Sequence, residues 1–204
     1  MFVRMLVAAV LATFWLMIWG FLFWAVLLPE NSGLLNVTRQ DELARVLREH
    51  LPQEGTYYIP HAHQEHGDGA VDATTDGTIA MVHFAPAGGD PLNLATYGLG
   101  ALHFFVTSFF LTILLTVALP ALEGYRSRVL FMWGVALFGI VAIEWTDPVW
   151  YRVPWEYFLY VSGFLAVGWL GAALIIATLV YPSRGYTHVT DPGKPLWKRA
   201  LDVD

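Results

Sequence analysis

The sequence predicts a mainly α-helical membrane protein, a bundle of four transmembrane helices with a small α+β extracytoplasmic insert. Three observations lead there. Of its 204 residues, 56% are hydrophobic and 14% charged, with a mean hydropathy of +0.52, whereas soluble domains carry about 25% charge. The apolar residues gather into four long runs. Most acids and histidines fall between the first two of those runs.

The first run, Met5–Leu28, has 24 residues without a charge. A helix rising about 1.5 Å per residue needs about 20 residues to cross the hydrocarbon core. Arg4 supplies the positive start of a signal, but the run exceeds the roughly 7–15 apolar residues of a cleavable one. No small-residue cleavage pattern follows in Val26, Leu27, Leu28, Pro29 and Glu30. Residues 1–28 are therefore expected to form a retained first span.

Residues 29–97 form the insert. It holds ten acids and three bases, a net −7, against +1 for the remainder and −6 for the whole chain. Five of the seven histidines also lie here: His50, His61, His63, His66 and His83. Thr38 followed by Asp41 is a capping-box pattern, which predicts a helix over about residues 39–51. Leu43, Val46, Leu47 and Leu51 then fall on one face, and Pro52 closes the helix. Two β-prone runs predict strands at about 55–60 and 77–85, joined by a Gly/Asp/Thr-rich loop from His66 to Gly77. If Pro60 faces Ile79, His83 falls opposite Thr56. An insert this small cannot bury a full core alone, so it is expected to pack on the membrane helices or on a partner.

Residues 98–181 supply the other spans. Leu99–Leu122 and Tyr157–Val180 are 24 residues each, the former interrupted by His103. The run from Val129 to Ile143 is shorter and continues through Glu144 to Thr146, with Trp145 as an interfacial anchor. An even number of spans places both termini on one side. That side holds Arg4, Arg126, Arg128, Arg184, Lys194, Lys198 and Arg199, against Arg39, Arg45, Arg48 and Arg152 on the other. The excess of basic residues predicts cytoplasmic N- and C-termini. Residues 182–204 are then a cytoplasmic tail, expected to lie along the inner membrane surface or to be loosely ordered.

With no cysteine, the chain has no disulfide, thiolate metal site or thiol redox chemistry. Its acidic balance argues against nucleic-acid binding. The sharpest local motif runs from His61 through His63 to His66. Imidazole suits Cu(II) and Zn(II), and in an extended segment His61 and His63 point to the same side. His66, Glu65 or Asp68 is then a candidate third ligand. The alternative is a set of exposed, pH-sensitive histidines that bind nothing.

His103 and Glu144 are ionisable residues inside spans, costly there and functional candidates by default. Opposite chain directions give them similar depth. They are a candidate polar pair, either a structural hydrogen bond between helices or an outward-opening proton- or ligand-handling site. A haem bundle normally needs two axial ligands on facing helices, and His103 is the one histidine within the spans, so no haem is expected.

Trp145, Trp150, Tyr151, Trp155, Tyr157 and Tyr160 match an interfacial aromatic belt. Trp15 and Trp19 share one helix face, read as packing or lipid contact with a quinone or pigment surface as the alternative. Ser108, Thr112 and Thr116 form one small or hydroxyl stripe, and Gly168, Gly171 and Ala172 another. Such stripes let membrane helices approach and hydrogen-bond. The sequence contains no phosphate-binding glycine loop, His-Glu-x-x-His run or Gly-x-Ser-x-Gly elbow, and no basic residue within the apolar runs.

The order Phe14-Trp15-Leu16-Met17-Ile18-Trp19-Gly20, then Gly55-Thr56-Tyr57-Tyr58-Ile59-Pro60, then His83-Phe84-Ala85-Pro86-Ala87-Gly88 and three more spans resembles a set of bacterial four-span inner-membrane proteins. These share an outward insert between spans one and two and have no known activity. The resemblance implies a bacterial inner-membrane location and this topology. The His61–His66 cluster departs from their pattern. The layout also resembles the claudin arrangement, without the paired cysteines of its outer loop.

Together these features predict a non-enzymatic accessory, assembly or scaffold protein. Its expected partners are membrane lipid and other membrane subunits or further copies of itself. One alternative is a periplasmic-side Cu or Zn binding or delivery protein using His61, His63 and His66. The other is a small membrane enzyme or transporter using His103 and Glu144.

Overall fold

The computed structural model describes residues 1–27, 34–59, 79–90, 93–122 and 124–181. Helix α1 spans Phe2–Phe21 and runs on as a π-helical turn, Leu22–Val26. In the insert come α2 (Gln40–His50) and two strands, β1 (Gly55–Ile59) and β2 (Ala80–Phe84). Helix α3 covers Leu94–Ala118 and α4 covers Tyr125–Gly139, continued by a second π turn at Ile140–Glu144. A short α5 (Thr146–Trp150) turns the chain into α6 (Trp155–Leu179).

Among the described residues, four helical stretches are long and apolar enough to cross a membrane: Phe2–Val26, Leu94–Ala121, Tyr125–Trp150 and Trp155–Leu179. Their outer surfaces carry the large apolar side chains, among them Phe14, Phe110, Leu130, Phe138 and Leu159, while the interior is built on alanine. In water so much exposed apolar surface would drive association; in hydrocarbon it is the expected exterior. The chain is a multi-pass membrane protein.

Two helices are longer than their uncharged runs. Asn93 caps α3, its side-chain oxygen accepting from the Ala95 N–H at 2.8 Å, so the helix begins at Leu94 rather than at Leu99. The third span takes in Arg126 and Arg128 at one end and Glu144 and Asp147 at the other. Backbone hydrogen bonding continues through charged residues wherever their heads reach the membrane interface.

Helix order is α3–α1–α6–α4. Helix α1 packs along both α3 and α6, α6 also packs along α4, and α3 and α4 scarcely touch. The core lies where α1 is narrowest. Ala8 and Ala12 join Leu16, Leu111, Leu115, Met132, Ala173 and Ile176 in one buried cluster. On α3, Ser108 and Thr112 are fully buried. The hydroxyls of Thr112 and Thr116 nevertheless bond to their own helix, at Phe109 and Thr112 carbonyls 2.7 and 2.8 Å away. That stripe contributes close approach, and its threonines add no hydrogen bonds across helices.

In the insert, β1 and β2 pair antiparallel with Thr56 opposite His83 and Ile59 opposite Ala80. The Thr56 hydroxyl and His83 Nδ1 lie 3.0 Å apart, a hydrogen bond across the ladder. The capping box expected at Thr38 and Asp41 does not form. Arg39 is the N-cap, with no side-chain cap, which places Thr38 one position too early to reach the first-turn amides. Instead, Asp41 and Glu42 sit in the first turn, favourable to the helix dipole, and Arg39 pairs with Glu42 at 2.9 Å.

Candidate functional site

The candidate metal ligands His61, His63 and His66, together with Glu65 and Asp68, lie outside the described residues. Among the described residues no group of three His, Asp or Glu side chains gathers as a metal site. His83 is bonded to Thr56.

His103 lies in α3, exposed, with its ring centroid 5.3 Å from that of Phe104. Glu144 closes the π turn of α4 and is half-buried. Among the described residues no hydrogen bond or ion pair joins His103 to Glu144. The helices that carry them form the loosest seam of the bundle.

The polar architecture is concentrated on α6. The Trp15 indole donates to the Gly168 carbonyl at 2.8 Å, Trp19 to Phe164 at 2.9 Å, and Trp133 to Ala166 at 3.0 Å. Farther along, the Tyr125 hydroxyl donates to Leu174 at 3.2 Å and Arg128 to Ala177 at 3.5 Å. Five side chains from α1 and α4 therefore donate to backbone oxygens of one helix. A carbonyl has two lone pairs, so a mid-helix oxygen accepts such a bond while keeping its own helical partner.

Glycine makes this possible. A Cβ at Gly168 would come within 2.8 Å of Trp19, and one at Gly171 would overlap the Trp15 ring. Trp15 and Trp19 stack at 6.0 Å, and Trp19 stacks on Phe164 at 6.4 Å. Toward the insert end, Phe23 lies 4.5 Å from Tyr160 and 4.7 Å from Phe164. The tryptophan face of α1 and the glycine face of α6, both visible in the sequence, are one contact. The Tyr160 hydroxyl, Ser162 Oγ and Ser108 Oγ are buried without a partner among the described residues.

Along the loose seam runs an apolar groove of about 200 Å³, lined by Thr107, Phe110 and Leu114 of α3, Val135 and Ala136 of α4, and Trp169 of α6. Sequence reasoning missed it, because hydropathy does not say which helix faces stay unpaired. On the insert, α2 buries none of its residues, and Leu43 and Val46 are exposed. Leu34, Leu35 and Val37, just ahead of α2, are exposed too, Leu35 at 91%.

No protein-family model, curated protein or solved structure matches the chain.

Proposed function

We propose that this chain is a non-enzymatic accessory, assembly or scaffold protein of a bacterial inner membrane. Its termini are cytoplasmic, and its insert engages a second membrane subunit or another copy of itself. The observation that carries the reading is the uncovered apolar surface of the insert. Leu34, Leu35, Val37, Leu43 and Val46 are all exposed, and α2 buries nothing. An amphipathic helix gains most of its stability from covering its apolar face. The insert's net charge of −7 suits a partner with a complementary basic surface. The orientation rests on Arg4, Arg126 and Arg128 at the end of the bundle remote from the insert, against Arg152 at the other.

Mild solubilisation followed by native mass spectrometry tests the reading. The expected result is a stoichiometric second subunit or a homo-oligomer, lost in Leu35→Asp and Val46→Asp while the monomer persists. A lone monomer from native membranes overturns it.

A further inference from the structure

Arg128, in the first turns of α4, is only 9% exposed. Its Nη2 donates one long bond, 3.5 Å, to the Ala177 carbonyl, and its Nε is buried without a partner. Ala177 belongs to the last turn of α6, where free carbonyls and the helix dipole favour a cation. One long bond is little for a guanidinium with five donors. Buried charges are ordinarily paired. Among the described residues, however, every carboxylate lies in the insert or at the insert end of the bundle.

The surroundings add positive charge. Arg126 is exposed two residues away, and the Arg4 guanidinium lies 4.4 Å from the Tyr181 ring centroid at the same end. Val135 is seven residues beyond Arg128 on the same stripe of α4, and Trp169 is eight residues before Ala177 on α6. Both lie about 10 Å deeper, and both line the groove between α3 and α4. A buried cation with one long hydrogen bond among the described residues and an apolar groove two turns below it call for one amphiphilic anion.

We propose that this seam binds an anionic phospholipid, with its phosphate on Arg128 and one acyl chain in the groove beside Ala136 and Trp169. Arg128, Arg126 and Arg4 gather at this end, and three cations favour a net negative headgroup over a zwitterionic one. The proposal is independent of the partner assigned to the insert.

The test uses the full chain in neutral detergent. Affinity is read by native mass spectrometry and by the shift in unfolding temperature. Phosphatidylglycerol, phosphatidylcholine and inorganic phosphate are added separately. Phosphatidylglycerol is expected to bind and raise the unfolding temperature, phosphatidylcholine to bind about tenfold more weakly, and phosphate alone to have no effect. Arg128→Gln is expected to weaken phosphatidylglycerol binding by about tenfold or more. Arg126→Gln, which removes one exposed charge, should weaken it by about fivefold. Ala136→Phe fills the groove without touching Arg128 and should also weaken binding, which keeps the test decisive where Arg128→Gln fails to accumulate. Equal binding of the two lipids, equal effects of phosphate and lipid, or equal losses from the two arginine variants overturns the proposal.

Discussion

The Trp15 indole occupies the space that a side chain on Gly171 would need, and its N–H donates to the Gly168 carbonyl at 2.8 Å. One residue of α1 thus sets both how closely α6 approaches and at what register. The arrangement needs glycine for closeness and an N–H for direction.

Gly171→Ala should therefore destabilise the bundle by about 1–3 kcal/mol, since the added methyl overlaps a ring that is already packed. Gly163, on the same helix, has nothing within 4 Å of a built Cβ. Gly163→Ala should stabilise by about 0.5–1 kcal/mol through backbone entropy. Thermal unfolding in a fixed detergent checks the opposite signs.

Trp15→Phe and Trp133→Phe keep most of the ring and remove the N–H. Each should cost about 1 kcal/mol, near the upper range of hydrogen bonds measured inside membranes. Their donors end on different carbonyls, Gly168 and Ala166, so the double variant should lose nearly the sum of the two. The same unfolding assay reads this.

Much of this was legible from particular residues. The four apolar runs foretold the spans, and the offsets around Pro60 and Ile79 foretold that Thr56 faces His83. Span ends were less legible, because Asn93 starts α3 outside its apolar run and the third span carries Arg126, Arg128, Glu144 and Asp147 within its length. The capping box failed because Thr38 lies one position too early. Helix order was invisible: Trp15 and Gly171 each announced a packing face, yet nothing in hydropathy paired the two. The groove follows from that order and was hidden with it. The histidine motif, His61, His63 and His66, lies outside the described residues.

A two-stranded hairpin and an uncovered helix are marginal in water. Backbone amides of β1, β2 and α2 should therefore exchange with deuterium within seconds to minutes, while those around Leu115 and Ile176 in the buried core stay protected far longer. Addition of the insert's partner should slow exchange in α2. Hydrogen exchange read by mass spectrometry resolves the segments.

The chain contains no cysteine, so single-cysteine variants label without background. Glu54→Cys in the insert should react with a membrane-impermeant maleimide on intact cells. Lys194→Cys in the tail should react only after permeabilisation. The reverse pattern would invert the orientation.

The proposed role of the insert requires its apolar face to be a contact surface. A photo-crosslinking amino acid placed at Leu35 or at Val46 in the intact membrane tests it most directly. One discrete adduct, to a single other subunit or to a second copy, is expected from both positions, and none from exposed Phe138 within the third span. Adducts to lipid alone from Leu35 and Val46, or a diffuse ladder indistinguishable from that at Phe138, would contradict it.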